Sequence, residues 1–287
     1  MFIENDFIRV TISEIGGHIA EIQDLATGVN PLWTPPWASE PHADFGNNAE
    51  SKLLAGIRGH NLCLDLFGPP SEAEAKAGMI VHGEAGVAAH NLREIPGGLV
   101  SQCLLPHSQL AFERTITLDG RTVRIAETVE NLSIFDRPIA WTQHVTFGPP
   151  FMEHGVTQFR WPYTDSEELN EAYAAYLMKD PAWFVAWSPV HRLAIGYRWN
   201  RADFPWLGIW KENRGRTHAP WNGRTVTQGM EFGVSPIPET RRAMIDRGTL
   251  FGTPCYRWIE AKQELSVEYS AAIWSANSLP ESFSSLS

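Results

Sequence analysis

Three side chains that can transfer protons stand out in this 287-residue chain: two histidines and a glutamate, each in or beside a strand-like run. His82 lies in the run Ile80–Gly86, His144 lies in Trp141–Phe147, and Glu231 lies in an apolar run flanked by glycines. A histidine titrates near neutral pH, and a carboxylate is an adequate base when partial burial raises its pKa. Together they could move protons on a neutral substrate.

Each of the three also has a structural explanation. A lone histidine in an apolar strand, such as His144, is often a satisfied core residue. His82 precedes Gly83 and could simply orient a turn. A glutamate in an apolar strand needs either a partner or a function, because an unpaired buried charge is costly. The residue types therefore suggest proton transfer and leave structural roles open.

The composition favours a small, uncharged partner. The formal net charge is -10, and Lys and Arg are outnumbered and scattered, which argues against nucleic acid or an anionic membrane as a partner. Twelve tryptophans offer wide apolar faces that suit both a β core and a surface that stacks on sugar rings. We therefore expect a small-molecule ligand, with no nucleic-acid and no membrane partner.

Cysteine usage and the first residues indicate a reduced, cytoplasmic protein. Cys63, Cys103 and Cys255 form no CxxC spacing, so neither a zinc knuckle nor a redox pair is expected. Met1–Asp6 carries acids where a signal peptide needs bases and an apolar run, and no stretch approaches membrane-spanning length. We predict cytoplasmic localisation.

Strand patterns dominate the chain and must position these side chains. Two alternating runs, Leu110–Leu118 and Arg121–Val129, flank Asp119-Gly120, a pair that can supply the positive φ angles of a tight hairpin turn. Further strands are predicted at residues 183–188, 193–197, 207–210, 229–234 and 265–272. Short helices are predicted at residues 71–77, 167–177 and 238–247.

These patterns predict an all-β fold, a large antiparallel β-sandwich with a few short helices. No flexible linker and no internal repeat interrupts the pattern. We therefore expect a single domain over residues 1–275, followed by a loose C-terminal tail over residues 276–287.

The order of several motifs resembles the galactose mutarotase-like (aldose 1-epimerase) superfamily. The predicted hairpin is followed by Glu130-Asn131-Leu132 and then by Pro138–His144, which resembles the family's element with a catalytic histidine. His82-Gly83 resembles the earlier HG element, and Arg58 precedes it at a matching distance. Glu231 resembles the catalytic base on the family's later strand. The resemblance covers most of the chain.

The resemblance implies a supersandwich fold and interconversion of sugar anomers by acid/base catalysis. Ring opening removes the proton of the anomeric hydroxyl while the ring oxygen is protonated, so a base and an acid must act together. Glu231 would be the base, His144 the acid, and His82 a partner that binds a substrate oxygen. We expect a carbohydrate ligand, no cofactor and no metal, and the resemblance leaves the oligomeric state open.

Arg58 and Asp180 are predicted to bind the substrate. Arg58 could bind a hydroxyl or a phosphate group, or it could instead pair structurally with Asp65. Asp180 stands at a plausible place for the family's substrate-binding aspartate. Two other aspartates compete for that role: Asp165 and Asp203.

His60 and Gln143 complete the predicted substrate-binding set. Gln143 is a candidate although regular strand alternation would turn it away from His144. His60 could alternatively form a metal centre of three histidines and one carboxylate with His82, His144 and Glu231. Such centres usually contain two histidines one residue apart on a strand, and this chain lacks that pair.

The leading functional hypothesis is therefore an aldose 1-epimerase-like enzyme. Two alternatives stay open at this point: a carbohydrate-binding protein without turnover, and a different sugar isomerase or lyase on the same fold.

Overall fold

A computed structural model of the chain describes residues 1–39 and 45–283. The strands, in chain order, are β1 (Phe2–Glu4), β2 (Ile8–Ile12), β3 (Ile19–Asp24), β4 (His60–Asp65), β5 (Asn91–Ile95), β6 (Gly98–Leu105), β7 (Leu110–Asp119), β8 (Thr122–Asn131), β9 (Arg137–Phe147), β10 (Gln158–Arg160), β11 (Tyr163–Asn170), β12 (Tyr173–Met178), β13 (Ala182–Ser188), β14 (Leu193–Trp199), β15 (Trp206–Asn213), β16 (Val226–Gly233), β17 (Thr249–Leu250), β18 (Thr253–Pro254), β19 (Arg257–Ile259) and β20 (Glu264–Ser275). The helices are α1 (Ser51–Gly56), α2 (Glu72–Lys76) and α3 (Arg241–Arg247).

Two large antiparallel sheets make up most of the structure. The larger sheet has the order β1-β2-β3-β4-β9-β16-β15-β12-β11, with β19 paired to the start of β9. The smaller has the order β10-β13-β14-β20-β8-β7-β6-β5. Apolar side chains of the two sheets meet in one core, where Phe147 contacts Phe184 and Phe232 contacts Tyr197. The predicted all-β antiparallel sandwich is confirmed.

The predicted hairpin is present as β7 and β8, but its turn lies one residue later than expected. Asp119 is the last paired residue of β7, opposite Thr122, so Gly120 and Arg121 form the two-residue loop. Of the predicted turn pair, only Gly120 has a positive φ, +55°. Asp119 instead remains in the strand, paired with Thr122.

Two of the three predicted helices are present. Helix α2 has a capping box, in which the Ser71 hydroxyl accepts the N–H of Glu74 and the Glu74 carboxylate accepts that of Ser71. Helix α3 lies within the third predicted range, whereas α1 was not predicted. In the described ranges, no helix is long and apolar enough to cross a membrane.

The helix predicted at residues 167–177 is wrong, because this stretch forms parts of strands β11 and β12. Tyr173, Ala175 and Leu177 are buried at alternate positions and pair with β15. Pairing with β15 and burial at every second residue therefore prevail over the local helix propensity of the segment.

The C-terminal segment is less loose than predicted. Leu279 and Phe283 pack against a cluster on the outer face of the smaller sheet, which covers apolar surface that water would otherwise contact. The cluster consists of Trp183, Val185, Trp187 and Ala194. Part of the segment 276–283 is therefore packed against the sheet. Residues 284–287 lie outside the described part of the chain.

Candidate active site

Strand register places His144 and Glu231 side by side on the outer face of the larger sheet. His144 on β9 is directly opposite Glu231 on β16, and on its other side it is opposite Asn61 on β4. Directly paired residues of antiparallel strands project to the same face. The alternate residues of β9 project to the other face, into the core between the two sheets.

His144 and Glu231 form a buried hydrogen-bonded pair. The Nε2 atom of His144 lies 3.0 Å from Oε1 of Glu231, and its Nδ1 atom lies 2.9 Å from the Thr146 hydroxyl. Only 7% of His144 and 2% of Glu231 is exposed. Both ring nitrogens have partners, so the imidazole is held in one orientation relative to the carboxylate.

His82 approaches this pair from a loop outside the sheet. Its backbone is in the left-handed region with φ +66°, and its ring centroid lies 5.6 Å from that of His144. The backbone N–H of Gly68 donates to Nδ1 of His82 at 3.2 Å. A neutral His82 therefore carries its proton on Nε2, which is then a hydrogen-bond donor.

The three groups line one cavity of about 130 Å³. Trp33, Leu53, Leu54 and Trp221 form much of its apolar wall. This volume is well below the roughly 300–1,000 Å³ of sites for drug-sized ligands, so it suits one small ring rather than a chain of sugars. A larger groove of about 1100 Å³ contains none of the three groups.

Arg216 is the cation among the described residues that line this cavity, and no sequence motif identifies it. Its guanidinium lies over the rings of Trp210 and Trp221, 5.1 and 4.5 Å from their centroids. It also pairs with Glu50 at 3.3 Å and Glu212 at 3.5 Å. It belongs to the connection between β15 and β16, where no strand or helix periodicity indicates which way a side chain points.

Burial changes the protonation of the pair in opposite directions. Loss of hydration raises the pKa of Glu231 to about 8, although the charge of Arg216 acts against this rise. Loss of hydration also lowers the pKa of His144 to about 4 and, with the charge of His144, lowers the pKa of His82. Near neutral pH, Glu231 is therefore protonated and His144 is neutral, and the two are hydrogen-bonded. Between them the pair holds one transferable proton.

His60 and Gln143, two predicted substrate-binding residues, do not line this cavity. Both are fully buried on the opposite face of the larger sheet, with His60 Nε2 2.9 Å from Gln143 Oε1. Gln143 also donates to Glu127 at 2.6 Å inside the core. Strand alternation separates them from His144, so the metal centre built on His60 lacks its geometric basis. No cluster of three or more potential metal-ligating side chains is found among the described residues.

Arg58 and Asp180, two further predicted substrate-binding residues, also do not line the cavity. Arg58 donates to the Ser39 hydroxyl at 2.8 Å rather than pairing with Asp65. Asp65 is instead paired with two other arginines, Arg137 and Arg241. Asp180 is exposed in the turn after β12 and lines a separate groove. Neither Arg58 nor Asp180 is among the residues that line the cavity, although Ile57, the neighbour of Arg58, is.

Gly229 leaves the space that the Glu231 carboxylate occupies. A methyl group at position 229 would overlap Oε1 of Glu231, and the backbone there has no positive φ that would itself demand glycine. We expect Gly229→Ala to displace the carboxylate and to slow any reaction that depends on it by roughly 10- to 100-fold. The measurement is the turnover rate together with a thermal melt.

Gly56→Ala is the matched control for this prediction. A methyl group at position 56 meets no atom within 4 Å, and this backbone also lacks a positive φ. The control should keep the wild-type rate, and its melting temperature should stay the same or rise, because alanine favours a helix more than glycine does. Equal rates for the two variants would show that the space beside Glu231 is unimportant.

Comparison with known proteins establishes the fold. No protein-family model matches the chain, and no curated protein sequence matches it. Among solved structures it is similar to a candidate aldose 1-epimerase from Klebsiella pneumoniae subsp. pneumoniae, with a TM-score of 0.73 and 12% identity over 95% of this chain and 78% of that one. It is also similar to a galactose mutarotase-like protein from Clostridium acetobutylicum (TM-score 0.69, 14% identity, 96% and 94% covered).

A third similar structure is the galactose mutarotase related enzyme from Lactobacillus acidophilus (TM-score 0.63, 15% identity, 98% and 99% covered). These identities are low, so the similarity concerns the fold. The chain has a galactose mutarotase-like fold, and the resemblance inferred from its motifs is confirmed at that level.

Proposed function

We propose that this protein interconverts the anomers of a free monosaccharide by acid/base catalysis, as an aldose 1-epimerase does. The observation that carries the proposal is the 3.0 Å contact between His144 Nε2 and Glu231 Oε1 in a cavity the size of one small ring. The fold shared with galactose mutarotase-like proteins supports it.

The pair contains the two functions that ring opening requires. Burial favours the form of the pair with its single proton on Glu231, and transfer of that proton to His144 gives the reactive form. In that form, Glu231 accepts the proton of the anomeric hydroxyl and His144 donates to the ring oxygen. The open-chain aldehyde rotates about the bond next to its carbonyl carbon. The two groups then exchange roles, and the ring closes with the opposite configuration. The reaction is neutral overall and returns the pair to its starting state.

His82 and Arg216 are placed to hold the substrate during these steps. The Nε2–H of His82 can donate to a substrate oxygen beside His144. The guanidinium of Arg216 lies over two tryptophan rings and pairs with Glu50 through one nitrogen, and its other N–H groups can donate to a hydroxyl group. The apolar faces of the wall can stack on the C–H faces of a sugar ring.

The rate should depend on pH through the single proton of the pair. Above about pH 8 that proton is lost and no acid remains, whereas below about pH 4 a second proton binds and no base remains. We expect kcat/KM for anomer exchange to be flat between these limits and to fall about tenfold per pH unit outside them. A rate that continues to rise beyond pH 9 would contradict the one-proton model.

Exchange NMR over a panel of aldoses tests the proposal directly, because it detects turnover between anomers at equilibrium. We expect enzyme-dependent magnetisation transfer between the α and β anomers of at least one sugar. Sugar binding measured by calorimetry without such transfer would instead indicate a carbohydrate-binding protein. If the protein neither transferred magnetisation between anomers nor bound any aldose of the panel, the proposal would be overturned.

A further inference from the structure

Asn61 is a buried polar residue that the scheme above does not use. It lies on β4, directly opposite His144, so its side chain projects from the same face of the sheet as the pair. Its exposure is 0%, and neither its amide nitrogen nor its amide oxygen has a hydrogen-bond partner among the described residues.

Such an amide is unusual in the interior of a protein. Buried polar side chains nearly always have partners, because an unpaired group loses its hydration without compensation. Leucine has a similar size and would fill the same position without that cost. The position of Asn61 therefore points to a partner that is present only when the protein binds its ligand.

The row of side chains across three neighbouring strands matches the order of oxygens in a pyranose. The register places Glu231, His144 and Asn61 in one line, each on the strand next to the previous one. In a hexopyranose the anomeric hydroxyl, the ring oxygen and the hydroxyl of the exocyclic carbon also follow one another. Glu231 and His144 take the first two oxygens in the proposed reaction, so Asn61 is nearest to the third.

We propose that Asn61 binds the hydroxyl on the exocyclic carbon beside the ring oxygen and so selects aldohexoses over 6-deoxyhexoses. This inference rests on the proposed function. The amide can accept from that hydroxyl through its oxygen or donate to it through its nitrogen. Asn61 does not line the cavity of the free protein, so the contact would form as the sugar binds.

Matched sugar pairs test this assignment: D-glucose with 6-deoxy-D-glucose, and D-galactose with 6-deoxy-D-galactose. We expect the wild-type kcat/KM for the preferred hexose to exceed that for its 6-deoxy form by roughly 10- to 100-fold. In Asn61→Leu the value for the hexose should fall to that for the 6-deoxy sugar. The value for the 6-deoxy sugar should itself change by less than about twofold, because it lacks the hydroxyl.

Thr142→Val is the matched control variant. The Thr142 hydroxyl is also buried without a partner on the same face, but Thr142 is paired with Cys63 and Gly233, one row away from Asn61. Removal of either unpaired group should leave the melting temperature unchanged or raise it. Only Asn61→Leu should change the ratio between the two sugars.

The outcomes separate this inference from the proposed function. Exchange by the wild type with equal kcat/KM for both members of each pair would overturn the role of Asn61 and leave the epimerase proposal intact. A folded Asn61→Leu variant that keeps the wild-type ratio of kcat/KM between the hexose and its 6-deoxy form would have the same meaning. A wild type that exchanges no aldose would overturn both.

Discussion

Replacing Glu231 with glutamine is expected to slow anomer exchange by roughly 10²- to 10⁴-fold while the protein remains folded. Glutamine has nearly the same shape as a protonated glutamate, and its amide can still bond to His144 Nε2, which lies 3.0 Å from the carboxylate. The amide cannot accept and return a proton at neutral pH. Exchange NMR gives the rate, and circular dichroism confirms the fold.

Glu84→Gln is a control for Glu231→Gln, because Glu84 is also a buried carboxylate but bonds to Ser108 outside the cavity. It should keep the wild-type exchange rate. If Glu231→Gln retained that rate as well, Glu231 would not be the base and the proposed mechanism would be wrong.

The same glutamine variant should also change how stability depends on pH. The folded pKa of Glu231, about 8, lies above its ordinary value of 4.5, so burial favours its protonated form. Its contribution to stability is complete below pH 4.5 and is lost as the pH rises through about 8. The melting temperature of Glu231→Gln should therefore increase relative to wild type over this interval. A constant difference would show that Glu231 does not titrate there.

Replacing His144 with asparagine is expected to slow exchange by roughly 10²- to 10³-fold. Asparagine is polar and can still bond to the Thr146 hydroxyl, the present partner of Nδ1. It cannot protonate the ring oxygen, so the acid of the pair is lost. The measurement is again the exchange rate, with a thermal melt to confirm folding.

The double variant Glu231→Gln/His144→Asn distinguishes a shared proton from two independent contributions. When two groups act as one unit, removal of either one abolishes most of their joint contribution to the rate. We therefore expect the double variant to be slower than the slower single variant by less than about threefold. If the fold reductions in rate of the two single variants instead multiplied in the double variant, the two groups would act separately.

The strands and the sandwich were predictable because their signals are local. The alternation in β7 and β8 and the glycine in their turn indicate a hairpin with no knowledge of the rest of the chain. The stretch at residues 167–177 was not predictable from composition, because its side chains favour a helix by themselves. Its strand conformation depends on pairing with β15, a distant segment.

The candidate site was only partly predictable, for a related reason. Alternation indicates which side chains of β9 project to the outer face. The same rule, applied to β4 and β9, places His60 and Gln143 on the opposite face from His144. Which loops cover that face depends on tertiary packing. The positions of Arg216 and the tryptophans around the cavity therefore depend on tertiary packing, which local sequence patterns do not indicate.

The central place of β4, β9 and β16 in the larger sheet has a consequence for folding. The segments that carry Glu231, His144 and His82 are far apart in the chain and adjacent in space, so the candidate site consists of nonlocal contacts. Nonlocal contacts form slowly because long loops must close first. During refolding from denaturant, turnover should therefore recover later than the far-UV circular dichroism signal, to which the local β7–β8 hairpin contributes. Turnover would then be a late and selective indicator of the assembled sheet.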